Sequence, residues 1–191
     1  MKKIILLFFC GLFLTNYSSF SQLVTIANNP GTSGNAVIGG STYHVQENIY
    51  TVAEIGAGNF ETMGTAMTRI AFNLNTFTGV FPFSITNYEI YMKNAGTTST
   101  YAAAGTYSLT GYTQVFNGTI TFNGVGWNSV DLTTPFVRTA GQNLSLLLIR
   151  NNGAAFTGTN FYTPAVVSAA RVKMAVALEY AAYHHLRECA A

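Results

Sequence analysis

Residues 85–93, Ile85-Thr86-Asn87-Tyr88-Glu89-Ile90-Tyr91-Met92-Lys93, set Tyr88, Ile90 and Met92 on one side of the chain and Asn87, Glu89, Tyr91 and Lys93 on the other. A period of two places alternate Cβ atoms on opposite faces, which is the pattern of a half-buried β-strand. The same period recurs on both sides of this stretch. Ile70, Phe72 and Leu74 alternate with Arg69, Ala71 and Asn73, and Phe116, Ile120 and Phe122 alternate with Thr119 and Thr121. Residues 143–150 differ: Leu144, Leu146 and Leu148 share one face, and Leu147 and Ile149 occupy the other. Apolar residues on both faces predict a strand covered on both sides, hence a central one.

Turn signals punctuate these runs. Asn29-Pro30-Gly31, Gly39-Gly40, Asn123-Gly124, Gly141 and Asn152-Gly153 read as turns or loops, and Asn123-Gly124 predicts a hairpin joining the strand that ends at Phe122 to one that begins near Trp127. Asn117-Gly118 interrupts no alternation, so Gly118 is expected to be a bulge or a site of close packing inside a strand. Residues 94–111 are small and almost uncharged and predict a long connecting loop. Seven to nine short strands without a helical period before residue 164 point to an all-β fold, a two-sheet antiparallel β-sandwich of jelly-roll-like form.

The flanks are of a different kind. Lys2 and Lys3 precede an apolar run from Ile4 to Leu14, and Ser19 and Ser21 supply the small residues of a cleavage site before Gln22. Residues 1–21 therefore read as a signal peptide, and the module of residues 22–164 as exported, secreted or on the outer cell surface, with no membrane insertion after cleavage. Phe8 and Phe9 stand where a lipoprotein signal needs a small residue before Cys10, which argues against a lipid anchor. With Cys10 removed only Cys189 is left, so no internal disulfide can form and burial must hold the fold together.

Between residues 22 and 164 four basic residues (Arg69, Lys93, Arg138, Arg150) face five acidic ones (Glu47, Glu54, Glu61, Glu89, Asp131), a net charge of −1. No basic stripe exists to follow a phosphate backbone, which excludes nucleic acid as a partner.

After Pro164 the composition breaks. Nine of the last 27 residues are alanine and none is Gly, Asn or Thr, although those three types supply 57 of the preceding 143. Residues 165–191 thus read either as a C-terminal helix with Val167, Ala170, Met174, Leu178 and Ala181 along one stripe, or as a sequence that is not the native continuation. His184, His185, Glu188 and Cys189 lie here in pairs four apart, but the pairs fall on adjacent helical faces and do not form one tetrahedral set, so no metal site is assigned.

Candidates for chemistry are few. Glu54 and Glu61 are the only close acidic pair flanking glycines and would be the acids of a hydrolase, which needs two carboxylates facing each other across a cleft. His44 is the sole histidine of the module and lacks a nucleophile motif, so it reads as a strand-face residue and no catalytic residue is assigned. Trp127, the lone tryptophan, is expected to pack in the core or cap it. Tyr43, Tyr50, Tyr91, Tyr101, Tyr107 and Tyr112 are expected on exposed strand faces or in the long loop; Tyr91, Tyr101, Tyr107 and Tyr112 are the candidate ligand contacts. The sequons at Asn117 and Asn143 fall within strands and are given no role.

The ordered series Ile49-Tyr50-Thr51, Glu54-Ile55-Gly56, Ile70-Ala71-Phe72, Tyr88-Glu89-Ile90-Tyr91-Met92, Gln114-Val115-Phe116-Asn117-Gly118, Gly126-Trp127, Thr134-Pro135-Phe136 and Asn143-Leu144 resembles a β-sandwich module found near the N-terminus of secreted multidomain surface proteins of Bacteroidota. The resemblance covers about residues 42–162. It implies a non-catalytic, adhesin-like or substrate-binding module, with type IX secretion, fibronectin type III-like repeats and any enzymatic activity belonging to other domains of a larger native chain. It supplies no catalytic residue and no cofactor. The expected function is therefore an exported binding or adhesion module whose partner is a glycan or a surface protein. The alternatives are a fragment of a secreted polysaccharide or peptide hydrolase and a purely structural spacer.

Overall fold

A computed structural model of the chain describes residues 30–33, 37, 42–55, 66–99, 107–154, 159–164 and 172–177. Its elements are β1 (Pro30–Ser33), β2 (Tyr43–Tyr50), α1 (Val52–Ile55), β3 (Ala66–Phe77), β4 (Phe83–Asn94), β5 (Thr113–Phe122), β6 (Gly126–Val137), β7 (Leu144–Asn151), β8 (Thr159–Pro164) and β9 (Val172–Ala177). They form a four-stranded sheet of order β1-β8-β3-β6 and a five-stranded sheet of order β5-β4-β7-β2-β9. The antiparallel partners are nested, β1 with β8, β2 with β7, β3 with β6 and β4 with β5. This is one long hairpin rolled up on itself, the jelly-roll winding, to which β9 is added beside β2.

Burial follows the period-two pattern. Phe72 and Leu74 of β3, Ile85, Tyr88, Ile90 and Met92 of β4, Val115, Ile120 and Phe122 of β5, Val130, Leu132 and Phe136 of β6, and Leu144, Leu146 and Leu148 of β7 make one core between the sheets. Each such side chain contributes about 1.5–3 kcal/mol by leaving water. β7 lies in the middle of the five-stranded sheet, and every residue from Leu144 to Arg150 is buried, as expected from its apolar residues on both faces. Leu147 and Ile149 belong to a second cluster on the outer face, with Val45, Tyr91 and Tyr107.

Several sequence expectations change. Asn123-Gly124 is a turn, but it does not close a hairpin: β5 pairs with β4 in one sheet and β6 pairs with β3 in the other, so the chain crosses between sheets at this corner. Local turn chemistry bends the chain in either case and does not fix which strands pair. Pro30 and Gly31, read as a turn, belong to β1 at the edge of the four-stranded sheet, where a missing proline N–H is tolerated. Gly118 lies within β5 opposite Tyr88, and a Cβ added there would stand 3.3 Å from Cζ of Phe116, so close packing accounts for it. The bulge is on the partner strand, between Ile85 and Tyr88, where Asn87 takes φ 52°.

The helical stripe expected after Pro164 is contradicted over residues 172–177, which form β9 against β2, from Tyr43 opposite Ala177 to Asn48 opposite Val172. Val, Met and Ala alternate as readily on a sheet edge as on a helix, and an open edge at β2 gives them partners. His184, His185, Glu188 and Cys189 lie outside the described residues.

Candidate binding surfaces

The outer face of the five-stranded sheet holds the candidate tyrosines. Tyr91 stands opposite Leu147 of β7, and from the long loop Tyr107, Leu109 and Tyr112 pack down onto Val45, Leu147 and Ile149. Two carboxylates are buried in the same layer, Glu47 on β2 and Glu89 on β4. Tyr91 donates its hydroxyl proton to Glu89 Oε2, and Gln114 Nε2 donates to the same oxygen at 3.1 Å and to the Tyr91 hydroxyl oxygen at 2.9 Å. Tyr112 donates to Glu47 Oε1. A phenol has one proton, so the Ser145 hydroxyl, 2.5 Å away, donates to the Tyr112 oxygen. Lys93 Nζ stands 4.1 Å from the centre of the Tyr112 ring, within cation–π range.

This geometry corrects the tyrosine reading. Tyr91 and Tyr107 are buried, and Tyr43, Tyr50 and Tyr112 are half-buried, so none of the five is an exposed contact. Burial, with the charge of Glu47 adding to it, raises the Tyr107 hydroxyl well above the ordinary phenol range. Tyr101 lies outside the described residues. The low bulk of residues 94–111 suggested an exposed loop, yet Tyr107 and Leu109 pack on the sheet face, and Tyr112 beside them finds a carboxylate acceptor in Glu47.

The inner side of β2 is also polar. His44 Nε2 and Gln46 Oε1 are 3.2 Å apart, and Gln46 Nε2 donates to Asn48 Oδ1 at 2.8 Å. The Gln46 acceptor assigns the His44 proton to Nε2. Arg150, opposite both His44 and Tyr88, is 1% exposed and donates from Nη1 to Asn152 Oδ1 at 2.9 Å and to the Ala154 carbonyl. Burial lowers its pKa to about 10, so it stays charged at neutral pH. Burial, offset in part by the Gln46 hydrogen bond and reinforced by Arg150, also lowers the His44 pKa below 6.5 and keeps the ring neutral. His44 is thus a buried strand residue, as its sequence context suggested.

Glu54 is partly buried at the start of a helical turn. Its Oε2 accepts from the Thr51 N–H and the Thr51 hydroxyl, both at 2.8 Å, and thereby caps the single turn α1. Glu61 lies outside the described residues. Asn143, the asparagine of one sequon, is buried with Oδ1 accepting from Val52 N at 2.9 Å and Nδ2 donating to the Thr98 carbonyl at 2.9 Å, which leaves no room for a glycan. Among the described residues no group of three or more His, Cys, Asp or Glu side chains could hold a metal ion, and no helix is long and apolar enough to cross a membrane.

Trp127 reverses its expectation. It is 56% exposed, on the outer face of the four-stranded sheet, because its neighbour Asn128 takes the inward position and binds the corner turn. Opposite Trp127 is Asn73; Ala71 faces Ser129, and Arg69 faces Asp131. Arg69 Nε donates to Asp131 Oδ1, which raises the guanidinium pKa and lowers that of the carboxyl. Sequence reasoning missed this surface, although the signal was present: from Gly126 to Val130 the apolar alternation puts Val130 and Asn128 together and Trp127 on the other face.

Comparison of the chain with protein-family models, with curated proteins and with solved structures finds no match.

Proposed function

We propose that this protein is an exported, non-catalytic binding module of a secreted or cell-surface protein. The observation that carries the reading is the lone tryptophan standing 56% exposed on a sheet face, where a large aromatic gives nothing to the core and is positioned for contact with a ligand. The disposition of the acids supports it: Glu47 and Glu89 accept from the hydroxyls of Tyr112 and Tyr91, Glu54 caps a helical turn, and Asp131 is paired with Arg69. Each of these carboxylates has a structural task. The export signal and the resemblance to Bacteroidota surface-protein modules agree with the location.

The test has two arms. N-terminal sequencing of protein recovered from the medium or cell surface is expected to begin at Gln22. The purified chain, offered in parallel to a glycan array, an array of surface proteins, and polysaccharide and peptide hydrolysis assays, is expected to bind saturably without releasing product. Turnover that co-purifies with the chain, or a failure to bind on both arrays, overturns the reading.

A further inference from the structure

We propose that the outer face of β3 and β6 is a binding strip for a neutral polysaccharide, with Trp127 as its stacking platform; this rests on the binding-module reading. Three cross-strand pairs stand in a row along this face: Asn73 with Trp127, Ala71 with Ser129, and Arg69 with Asp131. Residues two apart along a strand are separated by about 6.8 Å and adjacent strands by about 4.8 Å. The indole and the ion pair are therefore about 14 Å apart. Between them Ala71 and Ser129 form a low floor.

That layout matches the chemistry of a sugar polymer. A pyranose presents a face of C–H groups, which an indole accepts, and a rim of hydroxyls, which need both donors and acceptors. The Asn73 amide supplies one of each next to the indole. At the far end the Arg69 and Asp131 side chains, 61% and 73% exposed, offer further guanidinium donors and a second carboxylate oxygen.

The strip's two charges cancel, so an anionic lipid surface or an acidic polymer meets no uncompensated cation there. Among the described residues β6 is an edge strand, so the strip runs along the border of its sheet, where an extended chain can enter and leave.

The chain contains one tryptophan, so indole fluorescence reports on this face alone. The full chain is titrated with a soluble mixed-linkage β-glucan, xylan, galactomannan and, as the acidic control, polygalacturonate. Affinity is measured independently by retardation in polysaccharide-containing gels. At least one neutral polymer is expected to shift the emission to shorter wavelength and shield the indole from acrylamide, more strongly than polygalacturonate does. Trp127→Ala is expected to weaken retardation roughly thirtyfold, as for truncation of an aromatic anchor, and Trp127→Phe much less. The unfolding midpoints of both variants should stay at the parent value, since the side chain lies outside the core; the quenching result on the parent chain stands even where a variant folds poorly.

Gel retardation with unchanged indole emission, and equal affinity in Trp127→Ala, places the glycan site elsewhere and overturns the strip while the binding-module reading survives. Failure to bind any polysaccharide, with saturable binding to a surface protein, overturns the glycan occupant alone.

Discussion

Asn128 Oδ1 accepts the backbone N–H of Asn123 at 3.0 Å, and the same amide group donates from Nδ2 to the carbonyls of Gly124 and Gly126 at 2.9 Å each. One side chain thus holds the corner at which the chain leaves one sheet for the other. Gly126, at φ 95°, supplies the backbone conformation that the corner needs and that other residues adopt only under strain.

Asn128→Ala removes all three bonds and is expected to cost about 1–3 kcal/mol, read as a lower denaturant midpoint at an unchanged slope. Asn128→Asp keeps the acceptor but loses the two donors and brings a carboxylate close to the carbonyls of Gly124 and Gly126. It should be more harmful than Ala at neutral pH and recover in part on acidification. An Asn128→Asp variant as stable as the parent at pH 7 would show that Nδ2 contributes nothing.

The Thr51 N–H and hydroxyl both donate to Glu54 Oε2, so substitutions at the two positions should be coupled. Thr51→Ala is expected to cost about 1 kcal/mol, Glu54→Ala a similar amount, and the double variant less than the two combined. Glu54→Gln, which retains an acceptor oxygen, should be milder than Glu54→Ala. If any hydrolysis were found to accompany the protein, Glu54→Gln is expected to leave its rate unchanged. A drop of orders of magnitude would restore the catalytic reading of Glu54.

His44 gives the fold an acid limit. Its pKa is lowered on folding from 6.5, so the unfolded chain binds a proton at a pH where the folded chain does not. Its contribution is fully present above pH 6.5 and is lost as pH falls from there through the folded pKa. Protonation would also place a second cation opposite Arg150, within the same buried layer. Denaturant midpoints measured across this range should fall toward acid in the parent and fall less steeply in His44→Asn. Parallel profiles in the two proteins would assign the acid sensitivity to other groups.

Much of this fold is legible in residues 69–74, 85–93 and 143–150, because a strand writes its two faces into alternate positions and a central strand fills both. What alternation does not specify is which strands meet. Asn123-Gly124 is as good a turn between sheets as within one, and the choice is made by the core residues of β5 and β6, which face each other across the sandwich. The site is less legible for the same reason. Tyr112 carries no local mark of the buried Glu47 that accepts its hydroxyl, and Tyr107 none of the Val45, Leu147 and Ile149 it packs on, since those partners come from sequence-distant strands; Tyr91 and Glu89, two apart on one face of β4, are the pair that alternation does place together. The size of Trp127 favours a core, although its position relative to Asn128 and Val130 puts it outside.

β9 makes the stability of β2 depend on the last part of the chain. β2 has β7 on one side and, over six register pairs from Tyr43–Ala177 to Asn48–Val172, β9 on the other. Without β9, β2 would present a row of unpaired N–H and C=O groups at the end of the five-stranded sheet, a template for pairing with a second molecule. The residues at risk include Val45 and Ile49, which are buried, so the exposed edge would be apolar as well as unpaired. A version comprising residues 22–164 is therefore expected to unfold at lower denaturant than one comprising 22–191, and to form oligomers by light scattering in proportion to concentration. Lys substituted for Val45 in the shorter version should suppress association, because a charge on an open edge opposes strand addition, while adding its own core penalty. A monomeric 22–164 protein with the midpoint of the longer one would mean that the pairing of β9 with β2 contributes no stability.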